Sequence, residues 1–319
     1  MKKTSLFLIC CLLMAGLCNA QSEYSFKEQY DVSTPARLIL SSSDGNISVS
    51  AGSGKSIEVT YVVKRRNQVL KINRKELEKE LTVNVTNTSN SLDISVKYPL
   101  NYGTFKDGLK VNFIVTVPRE TACDLQSSDG NISLTGLTGD QSTKTSDGNL
   151  NISSINGKVN SKTSDGNIDV DDINGSLEAR TSDGNVSLER IKGNVKSATS
   201  DGNIVLRQIT GDVSVSTSDG EITFNELSGS LTASTSDGNV HGTMLALTKN
   251  LSVKTSDGNI DIAIPDKLGL NLDIHGESLH IPLTNFSGRS DDHSINGAIN
   301  GGGIPVNLSA DGNVSLTYR

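Results

Sequence analysis

Apolar and polar positions alternate along most of this chain in a pattern that resets every 18 residues. Four units read TSDGNIDVDDINGSLEAR (163–180), TSDGNVSLERIKGNVKSA (181–198), TSDGNIVLRQITGDVSVS (199–216) and TSDGEITFNELSGSLTAS (217–234). After the Asp-Gly-Asn (Asp-Gly-Glu in the last), apolar residues sit two apart: Ile168 and Val170, Val186 and Leu188, Ile204 and Leu206, Ile222 and Phe224. That spacing describes a strand with one buried face. A third apolar residue (Ile155, Ile173, Ile191, Ile209, Leu227) precedes a glycine two positions on (Gly157, Gly175, Gly193, Gly211, Gly229). The glycine marks a second turn. The return segment alternates again, with Leu177 and Ala179, Val195 and Ser197, Val213 and Val215, Leu231 and Ala233 on one parity. Each coil is therefore predicted to hold two short strands and two turns.

Asp-Gly recurs at this spacing at Asp129, Asp147, Asp165, Asp183, Asp201, Asp219 and Asp237; Asp257 follows after 20 residues, and Asp311 lies 54 further on, three more periods. A fixed short period is the signature of a solenoid, whose repeats bury their apolar faces only against one another. The unit has no room for a crossover helix, and no window shows a helical apolar period. Equivalent strands are thus expected to stack in parallel about 4.8 Å apart, giving roughly 35 to 40 Å of coils. Crossovers between parallel strands are overwhelmingly right-handed. The predicted fold is all-β: a single-chain parallel β-solenoid of right-handed β-helix or β-roll type, with N- and C-terminal caps.

Four regions follow from the pattern. Residues 1–20 read as a secretory signal peptide, with Lys2 and Lys3, an apolar run from Leu6 to Leu17, and cleavage after Ala20. Leu17 before Cys18 departs from acylation signals, which want a small residue there. Residues 21–118 form a β-rich cap region, with strand-like runs at 57–63, 81–85, 92–96 and 111–117 and one short helix expected in the charged stretch 71–80. Such a cap covers strand edges that otherwise invite aggregation. Residues 119–264 are the regular repeats. Residues 265–319 are irregular C-terminal coils, with Gly301-Gly302-Gly303 as a turn before the last strand.

The conspicuous Thr-Ser-Asp-Gly-Asn turn admits a structural reading and two functional ones. Counting by twos from Leu177 gives Ala179, Thr181 and Asp183, so Thr and Asp are expected inside a narrow corner with Ser182 outside. There they would satisfy backbone groups that the turn leaves unpaired. On that reading Asp129, Asp147, Asp165, Asp183, Asp201, Asp219, Asp237 and Asp257 are a structural turn ladder. Calcium is one alternative, because nonapeptide β-rolls also make coils of this length, but their motif occupies both turns and here the second turn lacks it. Ice or crystal-surface binding by Thr145, Thr163, Thr181, Thr199, Thr217, Thr235 and Thr255 is the other, and inward threonines oppose it.

Charge and composition narrow the function classes. The formal net charge of −7 becomes −9 without Lys2 and Lys3, which disfavours nucleic acid and anionic lipid as partners. No stretch after the leader is apolar over the ~20 residues of a membrane helix. Cys10, Cys11 and Cys18 fall in the leader, leaving Cys123 as a lone, small buried residue with no basic neighbour to activate it. Opposite charges recur one period apart on outward positions, at Asp172 and Arg190, Glu189 and Arg207, and Glu178 and Lys196. The Lys64-Arg65-Arg66 cluster is followed by Glu76, Glu78 and Glu80 and reads as a solvated cap surface.

A search for chemistry assigns no catalytic, cofactor-binding or metal-ligating residue and expects no cofactor. His241, His275, His280 and His293 match no zinc spacing, and there is no nucleophile elbow, Walker loop or dinucleotide fingerprint. Some β-solenoids cleave polysaccharides with paired carboxylates on an outer face. Asp169, Asp171 and Asp172 are the densest acidic group here, yet neighbouring rungs offer Ser187, Glu189 and Arg190 rather than a matched set.

The strand over 38–49 with its Asp-Gly-Asn turn, the strand from Val111 to Pro118 leading into the repeats, the repeated turn-Gly-Asn-Ile units and the closing Gly-Gly-Gly followed by Ala310-Asp311-Gly312-Asn313-Val314 resemble a bacterial family of exported β-strand-repeat proteins of unknown function, the putative-adhesin family. The resemblance spans nearly all of the chain beyond the leader. It implies a parallel β-solenoid in the cell envelope or at the surface, and it carries no site residues. The expected function is a non-enzymatic structural or adhesion-type protein that contacts a surface, a glycan or another protein, placed in the periplasm, at the cell surface or outside. A calcium-binding β-roll and an envelope enzyme acting on polysaccharide are the alternatives. Self-association through an uncapped end stays open.

Overall fold

Each apolar column of the repeat becomes an inner ladder of the stack. The computed structural model describes residues 24–99 and 108–319; the expected signal peptide over 1–20 lies outside them. Ile168 pairs in parallel with Val186, Val186 with Ile204 and Ile204 with Ile222, and the return strands keep step through Leu177, Val195, Val213 and Leu231. All of these side chains are buried, as are the third-position residues Ile155, Ile173, Ile191, Ile209 and Leu227. Burial of one such side chain is worth roughly 2 kcal/mol before entropy. Because every coil repeats these contacts, stability accumulates rung by rung.

Alternation alone leaves the third apolar residue on the wrong parity, three positions after the second. A left-handed residue corrects it in each coil. Ser154, Asp172, Arg190, Gln208 and Glu226 all have φ between 50° and 57°, so two successive residues face outward and the next apolar residue turns back into the core. The first regular coil has Gly136 at this point, with φ 79°. Two strands per coil hold through the fourth repeat; thereafter each pair merges into one bent strand, Ile204–Ser216, Ile222–Ser234 and Val240–Lys254. The ladder continues around the second turn because Gly211 pairs with Gly229.

Both ends depart from chain order in the same way. The strand Ala36–Ser41 lies between Ser91–Lys97 and Thr121–Gln126, and Ile47–Gly52 lies between Lys110–Pro118 and Ile132–Thr135. The first coil in sequence is therefore the second in space. At the other end the coil of Ile304–Ser309 and Asn313–Tyr318 is inserted between residues 251–264 and the later-stacked Leu270–His275 and Ser278–His280. Asp311 thus follows Asp257 as the next rung, with Asp311 N donating to Ser256 O at 3.0 Å. The expected separation of three periods is corrected: residues 265–303, between the strands Ile260–Ile264 and Ile304–Ser309, fold outward as an end structure and return. Asp44 is likewise the rung before Asp129.

Antiparallel strands finish the ends. Ser56–Arg65 lies on Lys110–Pro118, and Phe26–Asp31 lies on Ser56–Arg65. Thr82–Asn87 covers Ser91–Lys97, and a hairpin of Phe286–Ser290 and Ser294–Ile299 covers Leu270–His275. The expected short helix is Arg74–Leu77, started by a capping box in which Asn73 and Glu76 satisfy each other's backbone N–H groups. Stacked Phe26 and Tyr61, with Phe113 edge-on to Tyr61, close the N-terminal core. Among the described residues no helix is long and apolar enough to cross a membrane.

Candidate functional site

The first-turn column is saturated with internal hydrogen bonds. Thr199 Oγ1 donates to Ser182 O and Gly184 O of the preceding coil, each at 3.0 Å, and accepts from Gly202 N at 3.3 Å. Thr163, Thr181, Thr217 and Thr235 do the same. Asparagines form a second ladder outside it: Asn167 N donates to Asn149 Oδ1, Asn185 N to Asn167 Oδ1 and Asn203 N to Asn185 Oδ1, at 2.8–2.9 Å. Threonine is buried, as its parity requires. Gly202 is packed so closely that a Cβ would stand 1.9 Å from Gly184 O.

The aspartates are not inside. Asp129, Asp147, Asp165, Asp183, Asp201, Asp219, Asp237 and Asp257 are all exposed, and glycine takes the inner place. Strand alternation ends at Thr, and in the bend that follows the chain turns glycine under and throws the carboxylate out. Asparagine and threonine, not aspartate, hold the turn. At the first rungs, burial and a hydrogen bond with Asp44 push the Asp129 carboxyl above its ordinary range, against the opposing pull of Lys110.

Other singled-out residues are dispersed. Asp171 is ion-paired with Arg190, which also grips Glu189, while Asp172 accepts from Ser154 Oγ at 3.0 Å and Asp169 is exposed on the outer face beside Asp171. A shallow hollow of about 340 Å3 includes Asp169, Asp171 and Glu189 among serines and Asn151. The cross-rung register expected for Glu189 with Arg207 and Glu178 with Lys196 is present, but ion pairing runs elsewhere. Glu178 pairs within its own strand with Arg180, and the left-handed backbone at Arg190 swings its side chain toward Asp171. His241 meets Glu221 at 3.0 Å; His275, which meets Asp273 at 3.2 Å, and His293, which meets Glu277 O at 2.8 Å, sit beside each other in the C-terminal end structure, where Gly276 N donates to His293 O at 3.1 Å. Among the described residues no three His, Cys, Asp or Glu are grouped to hold a metal ion. Cys123 is buried, and burial with Asp124 nearby pushes its thiol up to about 12, an unreactive state at neutral pH.

Concave surface lies instead on both sides of the second turn. One groove, of about 440 Å3, runs along the return strands from Lys158 past Asn194, Lys196 and Ser214 to Thr232 and Asn250. The other, of about 560 Å3, follows the left-handed column from Asp172 past Arg190 and Gln208 to Glu226 and Leu245. Both end against the 20-residue coil. There the register slips between Phe224 and Leu231, leaving Leu245 half exposed beside one groove and Lys249 and Asn250 standing at the end of the other. Lys249 reaches back to Asp212 at 2.7 Å and, with Ser230, holds that carboxyl below its ordinary range. The sequence signal for this wall was the single 20-residue interval between Asp237 and Asp257, which pattern reading treats as a slip in the period.

Two solved structures are similar over long stretches. A putative adhesin from Bacteroides fragilis is 15% identical, with 74% of this chain and 96% of that one covered and a TM-score of 0.45. A putative cell adhesion protein from Clostridium sporogenes is 10% identical, with 92% and 99% covered and a TM-score of 0.20. No curated protein matches the chain. The Toastrack DUF4097 family matches residues 36–317, which takes in both layer-skipping ends and every coil between them, and the chain belongs to that family.

Proposed function

We propose that this chain is an exported, non-enzymatic protein of the cell envelope or surface, of structural or adhesion type, which uses its long rigid stack to present a binding edge to a glycan, a surface or another protein. One observation carries the reading: the residues that vary from coil to coil gather along the second turn, where the irregular coil walls two grooves. The recurring turn motif, in contrast, spends its threonine and asparagine on internal bonds. Loops built on rigid scaffolds are where binding concentrates, and here the irregular coil takes that role. The Lys2, Lys3 and Leu6–Leu17 pattern supports export.

Cell fractionation together with binding of the purified protein to glycan arrays, matrix proteins and isolated envelopes tests it. Surface or envelope placement with saturable binding is the expected result. A cytoplasmic location, or uniform absence of binding, defeats the proposal.

A further inference from the structure

Charge is divided between the two faces of the stack. Asp147, Asp165, Asp183, Asp201, Asp219 and Asp237 line the first-turn corner, all exposed. On the return face Lys144, Lys162 and Arg180 succeed one another in register, and among the acids near the groove Asp140 accepts from Lys158 N at 3.1 Å while Glu178 stands one rung from Lys196. Glu178 is held by Arg180, and Asp212 by Lys249 and Ser230. Among the described residues neither Lys158 nor Lys196 has an ion-pair partner. The groove lining therefore carries one more positive charge than negative, Lys158, Lys196 and Lys249 against Glu178 and Asp212, in a protein whose formal net charge is −7.

Its other polar lining is hydroxyl and amide, Asn194, Ser214, Thr232 and Asn250 among them, over a floor of the buried Leu177, Val195 and Val213. No aromatic or exposed large apolar side chain lines it, so it lacks the stacking platform that single-stranded nucleic acid uses and the apolar anchors that mark protein partners. It spans coils from Lys158 to Asn250, about 24 Å at 4.8 Å per rung, and is shallow and straight. We propose that this groove binds a linear acidic oligosaccharide lengthwise, with Lys158 and Lys196 meeting its carboxylates and the amides and hydroxyls meeting its sugar hydroxyls. The carboxylates supply the anchor that a neutral sugar takes from aromatic stacking. The aspartate corner repels the same polymer, which confines binding to one face. This inference rests on the surface-binding reading and names its ligand class.

Titration calorimetry with tetragalacturonate, with a neutral tetrasaccharide and with a short oligothymidylate provides the test. Tetragalacturonate is expected to bind, more weakly as salt shortens the range of charge interactions, while the neutral sugar and the oligonucleotide bind at least about tenfold more weakly. Lys158→Glu with Lys196→Glu should weaken tetragalacturonate at least about tenfold, and Lys55→Glu with Lys97→Glu, the same change in net charge at the N-terminal end and outside the groove, less than about threefold. Circular dichroism confirms folding of each variant, and Lys158→Gln with Lys196→Gln gives a milder second pair. No tetragalacturonate binding, equal losses in both charge-reversed pairs, or equal binding of the oligonucleotide overturns the inference. So does concentration-dependent self-association that accounts for the heat. If tetragalacturonate fails while array or envelope binding persists, this inference falls and the surface-binding reading survives; if both fail, both fall.

Discussion

The two turns of each coil are built from opposite materials. At the first, Thr-Ser-Asp-Gly-Asn returns, and its threonine hydroxyl, the Ser and Asp N–H groups and the Asn N–H are all bound to the coil before it. At the second, only the glycine recurs, with φ from 141° to 155°, while its neighbours change charge and size from rung to rung. Repetition fits the first column because each turn is the template for the next: a side chain that bonds a backbone carbonyl one rung away must recur unchanged. The second column transmits register chiefly through the backbone, with cross-rung side-chain bonds that change partners from coil to coil, such as Asp212 N to Asn194 Oδ1 at 3.3 Å and Ser230 Oγ to Asp212 at 2.8 Å, so its side chains are freer to carry a surface. Breaking the first should therefore cost stability, and altering the second should change binding with little effect on the fold.

The largest effect is expected at Gly202. An added methyl must displace Gly184 O by more than an ångström, since the ideal Cβ stands 1.9 Å from it. Gly202→Ala should destabilise by more than about 3 kcal/mol, read as a lower denaturant midpoint. Asp201→Ala beside it, with an exposed side chain, should change stability by less than about 0.5 kcal/mol. If the two cost the same, the first column is not held by close packing.

Thr199→Val comes next. It keeps the shape and removes a hydroxyl that serves two carbonyls and one N–H, so about 1 to 3 kcal/mol should be lost. A loss confined to the hydroxyl, with Ser182→Ala neutral, would confirm that inward threonine and not the polar turn as a whole carries the bond.

These two residues also show what the sequence made legible. Period-two alternation located the inner ladders of both strands and put threonine inside, because strand geometry holds up to Thr, while the third apolar column lies off that parity and is brought inside by the left-handed residue before it. It misplaced aspartate by one residue, because a bend obeys no alternation and the glycine two residues after Ser takes the inner position only once the coil below is present. Distance along the chain likewise hid the position of Asp311. Fifty-four residues suit three rungs as well as one outward excursion, and only the pairing of Asn259 with Asn313 decides. The grooves were marked by one irregular interval, whose meaning depends on which way the extra residues point.

A smaller and opposite effect is expected in the left-handed column. Gln208 has φ 55°, a conformation that costs a side-chain-bearing residue about 1 kcal/mol, and the first coil already uses Gly136 there. Gln208→Gly relieves that strain, gives up an exposed bond to Glu226 at 3.0 Å and adds freedom to the unfolded chain. The net should be a gain of about 0.5 kcal/mol in the denaturant midpoint series. A loss of 1 kcal/mol or so would mean that the outward side chains of the second column support the fold after all.

The last contrast lies within the first column, between its end and its middle. Burial and a shared hydrogen bond with Asp44 raise the Asp129 carboxyl, so the folded protein holds that proton more tightly than the unfolded chain. The corresponding stability is fully present below the unfolded value of 3.8 and is lost as pH rises through the higher folded value. Asp129→Asn removes the ionisation while keeping an acceptor and adding a donor toward Asp44. It should therefore be more stable than the parent at neutral pH, and should lack the parent's decline as pH rises from below 3.8 through the raised folded value. Asp183→Asn, in mid-stack and with no carboxyl hydrogen-bonded to it, is the reference against which the slope is read. Equal slopes for the two variants across that window would show that the end rung behaves as any other, and that the pairing of Asp44 with Asp129 has no energetic consequence.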